Sequence, residues 1–220
     1  MPIKENREYR SMEMRVAQVE DKDFVVDGYA TTFDSPYLLY TDGKYQVWEQ
    51  VDRNAFRDTD QSDVIFQYDH TGMVYARTRN QTLKLSEDDH GLKVIADLGS
   101  TEASRGIWEA INTGLIDRMS FAFTVTGDNY DEEELDNGDI RVLRTITKIG
   151  KLYDVSAVSF PANEQTSISA RTKELCDGEI AKLEAERLHA QEIEEMRMRI
   201  LERLNHKEEN TNERDQRDAD

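Results

Sequence analysis

IDRMSFAF, Ile116–Phe123, alternates in character along its length. Ile116, Arg118, Ser120 and Ala122 fall on one side, and Met119, Phe121 and Phe123 on the other. A period of two predicts a strand, one face of which is strongly apolar. The other face carries a hydroxyl at its centre. A strand serine ordinarily bonds a neighbouring backbone group. With an imidazole and a carboxylate beside it, the same hydroxyl becomes a nucleophile. The chain offers His70 in FQYDHTG and Asp154 in LYDVSAVSFPAN.

Around this stretch the pattern is mainly β. FVVDGYATTF, Phe24–Phe33, reads as a strand with a bulge or bend at Gly28. Tyr45–Val51 and Asp63–Tyr68 read as two more, with His70 just past the end of the second. Thr82–Ser86 and Leu92–Leu98 form a hairpin across EDDHG, where Gly91 is expected to take a positive φ. Ser100 or Thr101 caps a helix reaching about Asn112, and Gly114 ends it. The Ser120 strand runs to Thr126. GDNYDEEELDNGD, Gly127–Asp139, is expected as an acidic, solvated hairpin tip turning at Asn137-Gly138. It lacks the ligand spacing of a calcium loop. Ile140–Ile149 and Leu152–Phe160 follow as two strands, and Pro161 stops the sheet. About eight strands and one firm helix predict a closed or nearly closed antiparallel β-barrel with surrounding helices.

The ends differ from this centre. Residues 1–22 are polar and read as a flexible arm, leaving 23–171 for the barrel. From 172 to 208 the chain is rich in Glu, Arg, Leu, Ala and Met. Ile193, Met196, Ile200 and Leu204 recur at helical spacing, which predicts a long helix whose apolar stripe needs a partner. Residues 209–220, ending NTNERDQRDAD, read as a disordered tail.

The 220 residues carry a net charge of −18, which argues against binding nucleic acid through phosphates. Apolar residues make up 37 % and charged residues 34 %, lean for one globule and in keeping with an exposed helix. The single cysteine, Cys176, excludes an internal disulfide and fits a reducing compartment. MPIKENREYR has no apolar run behind its charges, and no stretch approaches the ~18 apolar residues of a membrane span. A soluble, intracellular protein is expected, with no membrane partner, no metal and no cofactor.

A serine hydroxyl needs a base near neutral pKa, and the base needs a third group to hold its tautomer. Of the four histidines, His90 falls in a hairpin turn, and His189 and His206 fall in the C-terminal segment. Only His70 adjoins a core strand. Composition leaves alternatives open: a turn histidine, a backbone-bonded serine, a solvated strand-end acid. Ser156 and Ser159 compete with Ser120, and no G-x-S-x-G elbow chooses between them.

The ordered series VDGYATTF, WEQVDRNAF, YDHTGMVYART, LKLSEDDHGLKV, INTGLIDRMSFAF and LYDVSAVSFPAN resembles the prohead serine proteases of tailed bacteriophages. That family is similar in fold to the herpesvirus maturation protease, assemblin. The resemblance spans roughly residues 24–168. It implies a β-barrel, with the nucleophile Ser120 in the motif at Gly114–Phe123. It implies His70 as general base, from Tyr68-Asp69-His70, and Asp154 as third member, from Asp154–Asn163. Asp69 stands where the family usually has Asn, and the herpesvirus enzymes use a second histidine as third member. No motif fixes an oxyanion hole, although Arg118 and Arg77 are candidates. The resemblance implies a serine endopeptidase that processes the major capsid protein, its scaffold segment and itself during virion assembly. It would act in the host cytoplasm, inside the assembling prohead. The C-terminal helix would dock on scaffold or coat, or self-associate. A reading of another class is a non-catalytic assembly factor on the same barrel. It does not need Ser120 and His70 near each other, and a Ser120 Oγ farther than about 5 Å from the imidazole would favour it.

Overall fold

A computed structural model describes residues 7–15, 24–159 and 170–217. By contacts the chain divides into two compact units, Met1–Cys176 and Asp177–Asp220. The first unit holds β1 (Glu8–Arg15), β2 (Val25–Thr32), β3 (Tyr37–Asp42), β4 (Tyr45–Val51), β5 (Ile65–Tyr68), β6 (Val74–Arg77), β7 (Leu83–Glu87) and β8 (Gly91–Asp97). It continues with α1 (Glu102–Asn112), β9 (Arg118–Glu134) and β10 (Ile140–Val158). The helix α2 (Ala170–Arg217) begins in the first unit and supplies the second.

The strands form one mixed sheet in the order β3-β4-β10-β9-β1-β2-β8-β7. One edge of β10 pairs along its length with β9. The other edge pairs in parallel with β4 over Ile140–Ile146, then in parallel with β5 over Asp154–Ala157. β6 lies beyond β5. The expected closed antiparallel barrel is therefore corrected: the sheet is open, and two of its pairings are parallel. Among the described residues its two arms are bridged at Phe33 and Val51, too little pairing to join them into a cylinder.

The Ser120 strand is buried on both faces from Met119 to Phe123. Phe121 and Phe123 stack with ring centres 4.5 Å apart and pack with Val155 and Leu152 in one core. Ile107 and Ile111 of α1 close part of that core. Thr101 caps α1, its hydroxyl accepting from the Ser104 amide, and Gly114 follows the helix at φ 74°. Both features match the sequence reading. Gly91 does not. It opens β8, and a Cβ there would lie 2.0 Å from the Thr31 carbonyl oxygen, so close packing is what requires the glycine.

Several boundaries move. The register shift in β2 falls between Tyr29 and Thr31 rather than at Gly28. The acidic stretch is mostly strand, since β9 reaches Glu134 and only the tip turns, with Gly138 at φ 84°. The two strands expected at its far side are one, β10, with irregular register between Ile146 and Asp154. In the C-terminal region α2 begins at Ala170 and continues to Arg217, across most of the expected tail. Leu188, Ile193, Met196 and Ile200 are exposed on it. Pro161 lies outside the described residues.

The largest correction is at the N-terminus. Within the expected loose arm, β1 is an interior strand between β9 and β2. Among its described side chains, the buried ones, Glu8 and Arg10, are ionic. Arg10 makes a two-pronged contact with Glu49, at 2.5 Å from Nε and 2.7 Å from Nη2. Arg144 reaches Glu8, Glu49 and Asp128 at 2.8 to 3.0 Å. Tyr37 donates to Glu49 at 2.5 Å. A buried charge is tolerated only when paired this completely.

Candidate active site

Register places the groups. β9 and β10 set Ser120 opposite Ser156 and Ala122 opposite Asp154. Directly opposed residues share a face, so Ser120, Asp154 and Ser156 project from the same side of the sheet. β5 pairs with the same stretch of β10, Ile65 against Asp154 and Gln67 against Ser156. The chain leaves β5 beside that side, and His70 comes next.

Two consecutive residues, Asp69 and His70, hold left-handed backbone at φ 47° and 57°. Non-glycine residues adopt this region only when held there. The Asp69 amide donates to the Ala157 carbonyl at 3.0 Å. Its carboxylate accepts from the Ser159 amide at 3.0 Å and from the Ser159 hydroxyl at 3.2 Å. Tyr68 hydroxyl also contacts the Ser159 hydroxyl. Gly72 donates to the Tyr68 carbonyl at 2.9 Å, and a Cβ on Gly72 would stand 2.8 Å from that oxygen. The loop is thus pinned to the end of β10, with the imidazole turned back over the sheet.

His70 Nε2 lies 2.7 Å from Ser120 Oγ, and Nδ1 lies 2.5 Å from Asp154 Oδ1. The structure therefore brings together all three residues singled out in the sequence. Asp154 is 3 % exposed and lies inside β10, not at a solvated strand end. Ser156 Oγ is 2.9 Å from Asp154 Oδ1 and 3.1 Å from His70 Nδ1. The ring of Tyr9 meets the imidazole edge-on, with centres 4.7 Å apart. Burial, then the negative charge of Asp154, raises the Tyr9 hydroxyl above its ordinary range, opposed by Arg7.

Of the two arginines considered for an oxyanion, Arg77 is committed to Asp63 through both Nε and Nη2, at 2.5 and 2.6 Å. Arg118 stands two residues before Ser120 on β9, on the same alternation. Two neighbours of the site escaped the sequence reading in these roles. Tyr9 had no signal, because it stands between the charged residues Glu8 and Arg10. Ser156 had one, since it follows Asp154 by two and must share its face. Among the described residues, no group of three or more His, Cys, Asp or Glu side chains is arranged to hold a metal ion.

With the proton on Nδ1 directed at Asp154, Nε2 is free to accept from the Ser120 hydroxyl. A hydroxyl, an imidazole and a carboxylate in this line are the equipment of a serine hydrolase. The family model of the caudovirus prohead serine protease matches residues 10–179, and the chain belongs to that family. It is a serine peptidase of the phage prohead. Neither the curated proteins nor the solved structures contain a match to the chain. Among the described residues no helix is long and apolar enough to cross a membrane.

Proposed function

We propose that Ser120 is the nucleophile of this peptidase, His70 its general base and Asp154 the group that orients the imidazole. The observation that carries the reading is the unbroken contact from Ser120 Oγ through both ring nitrogens to Asp154. Ser120 attacks the scissile carbonyl as Nε2 takes its proton. The imidazolium, held by Asp154, returns that proton to the leaving amine. Water then repeats the sequence on the acyl-enzyme. The substrates we assign are the major capsid protein with its scaffold segment, and the chain itself, inside the assembling prohead in the host cytoplasm. The exposed apolar residues of α2 are assigned to docking on scaffold or coat, or to self-association.

A separation of Ser120 and the imidazole beyond about 5 Å would have favoured a non-catalytic assembly factor. Their 2.7 Å contact does not favour it. The test is co-expression with the capsid protein, with fragments mapped by mass spectrometry. Fragments present with the native chain and missing with Ser120→Ala are expected. Intact capsid protein in shells assembled with the native chain would overturn the assignment.

A further inference from the structure

Ser156 is fully buried, and its backbone is gripped on both sides, by Ser120 of β9 and Gln67 of β5. Its Cβ is therefore fixed, and only the hydroxyl can turn. That hydroxyl has one proton to give and two lone pairs to offer. An ionised Asp154 has no proton, so at 2.9 Å from Oδ1 the hydroxyl must donate. Its lone pairs are then left for Nδ1, 3.1 Å away, where the ring N–H donates. The Nδ1 proton is thereby shared between Asp154 Oδ1 and Ser156 Oγ, and Oδ1 receives two donors. This bonding is complete in only one ring tautomer. The proton sits on Nδ1, and Nε2 is free for Ser120.

We propose that Ser156 is a positioning residue for proteolysis: its hydroxyl locks the Asp154 carboxylate and the His70 ring into the tautomer that accepts the Ser120 proton. The proposal rests on the assignment of Ser120, His70 and Asp154 made above. Ser156 is not a second nucleophile. It faces Nδ1, the nitrogen that carries the proton, and it is closed to solvent. Without it the carboxylate keeps its charge but loses a donor and a restraint, in a place where water does not replace them.

The experiment reacts the full chain with a fluorophosphonate. Ser120 Oγ displaces fluoride from phosphorus while the imidazole takes the hydroxyl proton, and the labelled residue is located by mass spectrometry. Peptide turnover is measured in parallel on a capsid-protein junction peptide. Ser156→Ala is expected to be labelled at Ser120 about tenfold more slowly, with kcat down about tenfold and KM unchanged, the effect of one lost hydrogen bond to a charged group. On an Asp154→Asn background the same change is expected to cost less than about twofold, since the charge it acts through is gone. If Ser156→Ala does not fold, Ser156→Cys, with its weaker donor, is expected to slow labelling and kcat without moving KM.

Wild-type labelling rates in Ser156→Ala, or in Ser156→Cys if that variant is needed, overturn the proposal. So does an equal loss in both backgrounds, which marks a packing role. Failure of the underlying assignment looks different: the native chain is then labelled at another residue or not at all.

Discussion

Ser120 and Ser156 face each other across β9 and β10, yet their hydroxyls meet different nitrogens of one imidazole, Nε2 at 2.7 Å and Nδ1 at 3.1 Å. Only the first is at the nitrogen that can take a proton when the second bears one. Ser120→Ala is therefore expected to lower peptide turnover by at least about 10⁴-fold, with no rescue from Ser156. Its thermal midpoint should stay within a few degrees of native, because one hydrogen bond is lost and no cavity of consequence opens. Turnover within tenfold of native would remove Ser120 from the mechanism.

Asp69 and Asp154 are the two carboxylates near His70, and they do different things. Asp69 spends its oxygens on Ser159 and shapes the loop. Asp154 faces the ring. Asp69→Asn keeps an acceptor for the Ser159 amide and is expected to cost less than about tenfold in turnover. Asp154→Asn keeps the shape but loses the charge opposite an imidazolium, with an expected loss approaching ~10⁴-fold. Assaying the two variants side by side decides the matter, and a reversed ranking would make Asp69 the third member.

The strands that carry the candidate site could be read from the chain because their patterns are strong, whereas the choice of Ser120, His70 and Asp154 came from the resemblance. The alternation from Ile116 to Phe123 found β9, and the Thr101 cap and Gly114 framed α1. Asp154 lay in a run apolar enough to mark β10. β1 was illegible for a physical reason. Among its described side chains the buried ones are Glu8 and Arg10, and charged residues at those positions read as a solvent face. Only their partners, Glu49 and Arg144, far along the chain, make that burial tolerable. The open sheet was hidden for a related reason. Apolar alternation marks strands but does not say that β4 and β5 share one edge of β10.

The ion cluster carries its own test. Burial by itself raises the Glu8 carboxyl, but hydrogen bonding to Arg144 and the charges of Arg10 and Arg144 outweigh it and bring the group down to about 2 from 4.5. A carboxyl depressed on folding stabilises the fold above its unfolded pKa. That stabilisation, on the order of 3 kcal/mol, is lost as pH falls from about 4.5 toward 2. Urea unfolding at pH 6 and pH 3 should show the drop, and Glu8→Gln should flatten it. Arg144→Met leaves buried carboxylates without their partner and is expected to cost about 3–5 kcal/mol at neutral pH. A stability profile unchanged by Glu8→Gln would show that Glu8 does not report on the cluster.

The C-terminal boundary is testable by truncation. Thr172 and Cys176 are both fully buried in the first unit. Burial, only partly offset by the Arg144 charge, pushes the Cys176 thiol up to about 11. A chain ending at Cys176 is expected to unfold cooperatively near the native midpoint and to keep its peptidase activity. One ending at 171 should unfold several degrees lower. Calorimetry of the two decides it, and equal midpoints would place the first turns of α2 outside the folded unit.

The parallel pairing of β5 with β10 has a consequence for timing. His70 and Asp154 are 84 residues apart in sequence, and β10 is the strand that holds β5 in the sheet on the side of the site. Ser120 can find β10 through a local hairpin, but the imidazole arrives only when a long loop has closed, a slower step than closing a hairpin. A growing chain makes His70 first but has no β10 to hold it, and a half-folded chain can bring its hydroxyl beside its carboxylate before its base arrives. On the assignment made here, such a peptidase stays silent through its own synthesis and gains activity as a late event of folding.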